Sequence, residues 1–226
     1  MCGRVIQSGA PFLPGLSIIL GTPDDPRVTK PKYNGAPSQM LRVIRRKPNS
    51  ETNQLDMLEW GLIPNWVKEP KNRPINATCE RVATAPMFRS AYAKRRCLVP
   101  VDGFFEWKAI KGAKIKQPFA IGLKTREPFG LGAIWESWKH PETGEIIRTF
   151  CVITCPANEL ISSIHDRMPV IIRPSAYERW LSDIEPDPHD LMVPYPSELM
   201  HMWPVDPRVN SAKFHDPDLI TPIEQP

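Results

Sequence analysis

Residues 97–107 read CLVPVDGFFEW, and the fold class follows from what this stretch is able to form. It is short, apolar and rich in β-branched and aromatic side chains, and Pro100 and Gly103 interrupt it, so strands are expected here and not a helix. Runs of the same kind recur on both sides: GRVIQ, MLRVIRR and LDMLEWGLI before it, then PFAIGL, FGLGAIWES, IIRTFCVITC and MPVII after it. Helical periodicity is rarer. It is confined to ERVAT running toward MFRSAYAK, to ANELISSI after Pro156, and to SAYERWLSD after Pro174, where Ser175 is placed to cap a first turn. The pattern predicts an α+β fold on a mainly antiparallel, curled or barrel-like sheet with a few short flanking helices. The chain carries 27 prolines, about twice the usual share, dispersed between the patterned runs as turn markers.

With 226 residues, 41% of them hydrophobic, the chain can bury one good core, and a single domain over residues 1–226 is expected. The last segment, 214–226, ending TPIEQP, reads as a loosely held tail. No apolar run reaches membrane-spanning length, and the N-terminus lacks the basic-then-apolar order of a secretory signal, so a soluble, cytoplasmic protein with no membrane partner is expected. Five cysteines (Cys2, Cys79, Cys97, Cys151, Cys155) without CxxC spacing predict neither a disulfide framework nor a metal site, and Cys151 and Cys155 read as core thiols. No glycine-rich nucleotide-binding string occurs, so no cofactor is expected. Lys plus Arg exceed Asp plus Glu by 29 to 25, which says little globally. Locally, Arg89 precedes the triplet Lys94, Arg95 and Arg96, while Lys68, Lys71 and Arg73 flank a loop holding Trp66. Cations interleaved with aromatic rings suit single-stranded nucleic acid, since charges track phosphates and rings stack on bases; a solvated basic face is the alternative.

Chemistry concentrates at the second residue. Once Met1 is removed, Cys2 carries a free α-amine beside its own thiol, two nucleophiles with ordinary pKa values of about 8 and about 8.5. Amine attack on an aldehyde gives a Schiff base, and the adjacent sulfur can close on the imine carbon as a thiazolidine. The competing reading is a cysteine at a frayed terminus. Three further polar groups sit where a core would not want them: Asn76 in the turn-like PINATCER, Glu106 inside FFEW, and His165 at the head of HDRMPVI. Asn34 lies in KYNGAP, read as a turn. On an alternating strand Glu106 either points out to water or is buried with a raised pKa, and the second state suits a general acid and base.

The ordered set MCGR, YNGAP, WGLIPNW (60–66), INA (75–77), VDGFFEWK (101–108), HDRMPVI (165–171) and VNS (209–211) resembles the SOS-response-associated peptidase (SRAP) family, whose members process abasic sites. The resemblance runs along essentially the whole chain. It implies a sensor of abasic sites in single-stranded DNA that crosslinks to them through Cys2 and shields the lesion in the DNA damage (SOS) response, acting as a nucleoid-associated monomer. Carried over, Cys2 is the nucleophile, Glu106 the acid and base, His165 the group that assists sugar opening, and Asn76 the residue that orients Cys2. Arg4 and Asn34 become positioning and phosphate-binding groups, with Trp66 and Trp107 as stacking surfaces. Lyase-like Schiff-base chemistry and self-cleavage belong to the same implication, although here Met1 alone precedes Cys2 and methionine removal suffices. One departure stands out. Where many relatives read N-A-R-x-E-T, this chain has Asn76, Ala77, Thr78, Cys79, Glu80 and Arg81, so the arginine two positions after Asn76 is missing, and Arg81, Arg73 or Arg89 must provide phosphate contacts. Two other classes remain open: an N-terminal-nucleophile amidotransferase or hydrolase, and a non-catalytic single-strand binder.

Overall fold

A computed structural model describes residues 2–9, 12–20, 29–47, 50–112, 114–183 and 187–224. In chain order these form β1 (Val5–Gln7), β2 (Lys32–Gly35), β3 (Met40–Arg46), β4 (Asn53–Trp60), β5 (Asn76–Thr78), α1 (Cys79–Val82) and α2 (Arg89–Lys94). There follow β6 (Arg96–Val101), β7 (Gly103–Lys108), β8 (Gln117–Leu123), β9 (Phe129–Lys139), β10 (Ile146–Pro156) and α3 (Glu159–Ser162). The remainder are β11 (Arg167–Pro169), β12 (Ile171–Ile172), α4 (Tyr177–Leu181) and β13 (Met200–Pro204), with short 3-10 turns between them.

Five of these strands close on themselves. β3 pairs antiparallel with β4 and β6, β6 with β9, and β9 with β10; β10 then meets β4 through a short parallel pairing, Thr149 opposite Glu59 and Phe150 opposite Trp60. Closure removes the unpaired edges an open sheet would expose. It is sealed by Trp60 stacked on Phe150, ring centroids 5.9 Å apart, with the indole N–H donating to the Ile75 carbonyl at 2.8 Å. Gly61 then turns the chain away at φ +135°, in the region that side-chain-bearing residues avoid, while its N–H donates to Phe150 O.

The second sheet is open, in the order β13-β8-β7-β1-β2, and covers one side of the barrel. Strand alternation assigns its faces. Val5 and Phe104 join the barrel core, whereas Ile6 and Phe105 join a second cluster with Ala120, Val205, Val209 and Leu219. Both faces are therefore covered. β7 and β8 pack so closely at Gly103 that a Cβ there would lie 2.7 Å from the Ile121 carbonyl oxygen.

Several local expectations are corrected. KYNG is strand β2 and not a turn, because it pairs with β1. PINATCER is not a turn at Asn76 either, since β5 pairs parallel with β10. Ser175 sits inside a 3-10 turn and caps nothing; Asn158 is the capping side chain, accepting from the Ile161 N–H at the start of α3. Up to residue 224 the C-terminal segment is held: Leu219 is fully buried, Ile220 O accepts from the Trp203 indole, and the Ile223 N–H donates to Pro204 O.

The N-terminal strand is tied to the barrel through one side chain. Gln7, buried, donates from Nε2 to Arg42 O (2.9 Å) and Pro100 O (2.8 Å), and its Oε1 accepts from the Arg42 N–H (3.0 Å). Arg42 returns its guanidinium to the carbonyls of Gln7 and Gly9. Asp102 adds acceptors for the N–H groups of Ser8 and Gly9. We expect Gln7→Ala to cost about 2–4 kcal/mol, because it leaves three buried backbone groups without partners. Urea unfolding checks this, and a loss under about 1 kcal/mol would show that β1 is seated by its apolar side chains alone.

Candidate active site

Cys2 is fully buried, just ahead of β1 and under the end of β7. Its carbonyl accepts from the Asn76 amide Nδ2 at 2.8 Å. Asn76 reaches it because β5 runs parallel to β10, Asn76 opposite Val152, which fixes this three-residue strand on the barrel rim. The next residue is held as well, Arg4 O accepting from the Phe105 N–H at 3.0 Å.

Glu106 lies two residues beyond Phe104 in β7, so it takes the same barrel-facing side and is only 2% exposed. Of the two states open to it from sequence, the structure shows the buried one. Burial pushes its carboxyl pKa up, with His165 pulling the other way. The Cys2 thiol is raised strongly, first by burial and then by the nearby Glu106 carboxylate. Cys2, Asn76, Glu106 and His165 are thus brought within reach of one another from four separate segments.

His165 follows α3 and precedes β11. The Arg167 N–H donates to its Nδ1 at 3.0 Å, and Asp166 Oδ1 lies 2.8 Å from the same nitrogen. A nitrogen accepting that N–H has no proton to give Asp166, whose side chain is 87% exposed and well solvated. The arrangement that satisfies the backbone amide puts the ring proton on Nε2. Arg167 itself forks onto Glu80, Nη1 to Oε1 at 2.7 Å and Nη2 to Oε2 at 3.0 Å, and also donates to Thr154 O. That pair links the strand after His165 to the helix after Asn76, and it holds the Glu80 carboxyl down to about 2.

Beside Asn76 opens a groove of about 510 Å³, lined by Trp66, Asn72, Ala77, Thr78, Arg81 and Phe88 among others. Trp66 presents 63% of its surface there. On the other flank the Trp107 indole donates to Asn210 Oδ1 at 2.5 Å, and the Arg4 guanidinium lies 5.9 Å from the Trp107 ring while donating to Asn34 Oδ1 and Val209 O, both at 2.7 Å.

Residues 1–212 match the sequence profile of the SOS response associated peptidase (SRAP) family. The chain belongs to the SRAP family. It is 39% identical over 195 residues to the abasic site processing protein YoqW of Bacillus subtilis, covering 84% of this chain and 85% of YoqW. It is 32% identical to the abasic site processing protein YedK of Escherichia coli over 232 residues, covering 99% of this chain and all of YedK. Among solved structures, a protein from Bacteroides thetaiotaomicron superposes with a TM-score of 0.77 at 26% identity, over 85% of this chain and 86% of that one. The α+β fold expected from the strand runs is shared with this SRAP-fold neighbour.

Within this SRAP chain the expected contact residues divide. Trp66 and Arg81 line the groove, and Arg89 is exposed at the start of α2. Asn34 does not face solvent: it is fully buried, and its Nδ2 donates to the carbonyls of Ser211 and Phe214, so it holds the VNS loop instead of a phosphate. Arg73 is turned back onto Glu59 at 2.7 Å and the Gly61 carbonyl. The basic triplet is largely structural too. Arg96 is buried against the carbonyls of Trp180, Tyr92 and Ser182, and Arg95 pairs with Glu136, which leaves Lys94 exposed. Sequence reasoning missed Gln7, which carries no local signal, and Arg167 and Asn210, which lie inside the HDRMPVI and VNS motifs.

Because Glu106 has a folded pKa above its unfolded value of about 4.3, its ionisation is costlier in the folded state, and stability falls as pH rises from that value through the folded pKa. Glu106→Gln removes this loss. We expect the variant to match the native protein near pH 4 and to exceed it in urea midpoint near pH 7; a difference independent of pH would show that lost packing, not ionisation, dominates.

Proposed function

We propose that this protein captures abasic sites in single-stranded DNA as a covalent crosslink through Cys2. Met1, whose removal the chemistry requires, lies outside the described residues. The observation that carries the reading is the buried Cys2, its carbonyl held by Asn76, with Glu106 and His165 beside it and a groove opening next to Asn76.

An abasic deoxyribose reacts only as its open aldehyde. His165 Nε2–H is placed to protonate the ring oxygen as the sugar opens. The Cys2 amine then adds to C1′, and the resulting carbinolamine must lose water. Glu106, whose burial favours the protonated carboxyl, donates the proton that the departing hydroxyl needs. The Cys2 sulfur finally adds to the imine carbon, its proton passing to nitrogen, and the thiazolidine closes with no oxidant or reductant. Asn76 fixes the Cys2 backbone so that amine and sulfur address one carbon. Trp66 offers a stacking face and Arg81 a cation to the flanking strand.

The same electrostatics disfavour the amidotransferase reading. There sulfur must attack first and as thiolate, yet burial and Glu106 hold the Cys2 thiol well above the ordinary cysteine range. In the crosslinking sequence nitrogen attacks first, so a thiol is sufficient.

Mature protein incubated with an oligonucleotide containing one abasic site is expected to give an adduct that survives denaturing electrophoresis. Cys2→Ser, which keeps the amine but has no sulfur, should give no stable adduct. Glu106→Gln should crosslink slower, on the order of 10²-fold. Equal binding of intact and abasic strands with no adduct would favour the non-catalytic binder, and glutamine hydrolysis without adduct would favour the amidotransferase.

A further inference from the structure

A second pocket, of about 560 Å³, lies where β1 to β4 come together, lined by Gln7, Lys30, Pro31, Lys32, Met40, Arg42, Met57 and His215. Its walls are thioether and proline carbon. Its charged groups are all cationic or able to become so: Lys30, Lys32, Arg42 and His215. Arg42 is 3% exposed and spends its donors on the carbonyls of Gln7 and Gly9, so its charge sits in the floor while backbone dipoles alone bond it. Lys32 donates to Met40 O at 3.3 Å. Two carboxylates approach from outside the lining. Asp102, which acts on Arg42, is engaged by the N–H groups of Ser8 and Gly9, and Asp216 follows His215 in the chain.

The cations repel one another. Lys30 lowers the Lys32 pKa after burial does, and His215 is lowered by burial and then by Lys32, with Arg4 and Lys30 adding to it. A fold that gathers like charges at an open pocket without a lining carboxylate has left room for an anion. The position of the pocket says which anion. The 209–214 loop touches Arg4 and Trp107 at Val209 and Asn210, is held by Asn34 at Ser211 and Phe214, and delivers His215 directly to the pocket. One loop thus joins the flank of the Cys2 site to this cation cluster. Its far side from Asn76 also places the pocket away from the Trp66 groove, whose lining shares no residue with it.

We propose that Lys30, Lys32, Arg42 and His215 form a phosphate subsite that takes a backbone phosphodiester of the bound DNA strand, beyond the point where Arg4 meets it. The proposal rests on the DNA reading above and adds a second arm to the strand path. Met40, Met57 and Pro31 supply apolar contact for the sugar or base beside that phosphate, with no hydrogen-bond readout, so the subsite is indifferent to sequence.

The test uses an intact single strand of about 15 nucleotides, long enough for both arms, so that crosslinking plays no part in the readout. Affinity is measured against salt for the native protein, for Lys30→Gln/Lys32→Gln, and for Lys124→Gln/Lys139→Gln, which removes two exposed lysines outside the pocket. Loss of one phosphate contact should flatten the plot of log affinity against log salt by about 0.7 and weaken binding several-fold, roughly 3- to 10-fold, with the control pair changing neither. His215→Gln, which leaves both lysines in place, should weaken binding in the same direction. Thermal melts confirm that all variants are folded. If the pocket pair matches the native protein, or the control pair loses as much, the subsite is wrong while the function above stands. If the native protein binds no DNA strand at any salt, it is the function that falls.

Discussion

The active arrangement depends on seating a chain terminus inside a protein. Terminal residues ordinarily fray, since nothing beyond them shares the entropy cost of order. Here β1 is only three residues long, yet it is gripped on both edges by β2 and β7 and from beneath by Gln7 and Arg42, whose reciprocal bonds join the open sheet to the barrel. Asn76 then catches the carbonyl of Cys2 itself. Remove that grip and Cys2 becomes one mobile thiol among many. With it, an amine, a thiol, a carboxyl and an imidazole share one small volume.

Burial has a second consequence, which is electrostatic. The same desolvation that hides Cys2 and Glu106 favours their neutral forms, so the site is tuned toward a protonated acid and an un-ionised thiol. That is a poor setting for a cysteine hydrolase and a good one for imine chemistry, in which water must leave and sulfur follows nitrogen. The Arg167 to Glu80 fork sits at the edge of this environment and, being partly solvated, keeps both partners charged. It ties the segment carrying His165 to the segment carrying Asn76 without placing a charge against Cys2.

Legibility followed the range of the interactions. Each apolar run picked out by composition is found as one or more strands, because alternation and β-branching act locally. The strands that escaped notice, β2, β5 and β13, are short and contain turn-forming or polar residues that only their partners rescue. Asn34 looks like a turn residue, yet its amide is satisfied by carbonyls at 211 and 214, far along the chain. Arg73, Arg95 and Arg96 look like a nucleic-acid surface, yet each is consumed by a distant carboxylate or carbonyl. Thr78, where relatives carry arginine, stands at the end of β5 with Arg81 on the same groove. The ordered motifs carried the family resemblance that the comparisons uphold.

By itself the sequence determined the strand content, the family, and the pairing of faces, since a period of two puts Phe104 with Glu106 and Phe105 with Trp107 whatever surrounds them. It had no means of saying which of those faces would be covered. That was decided when β10 closed the barrel on β4, the open sheet packed against it, and the C-terminal segment folded over the outer side with Leu219 in its core. A carboxylate's proton affinity depends on the dielectric around it, and that environment is assembled from residues scattered along the whole chain, so Glu106 acquires its chemistry only in the folded molecule.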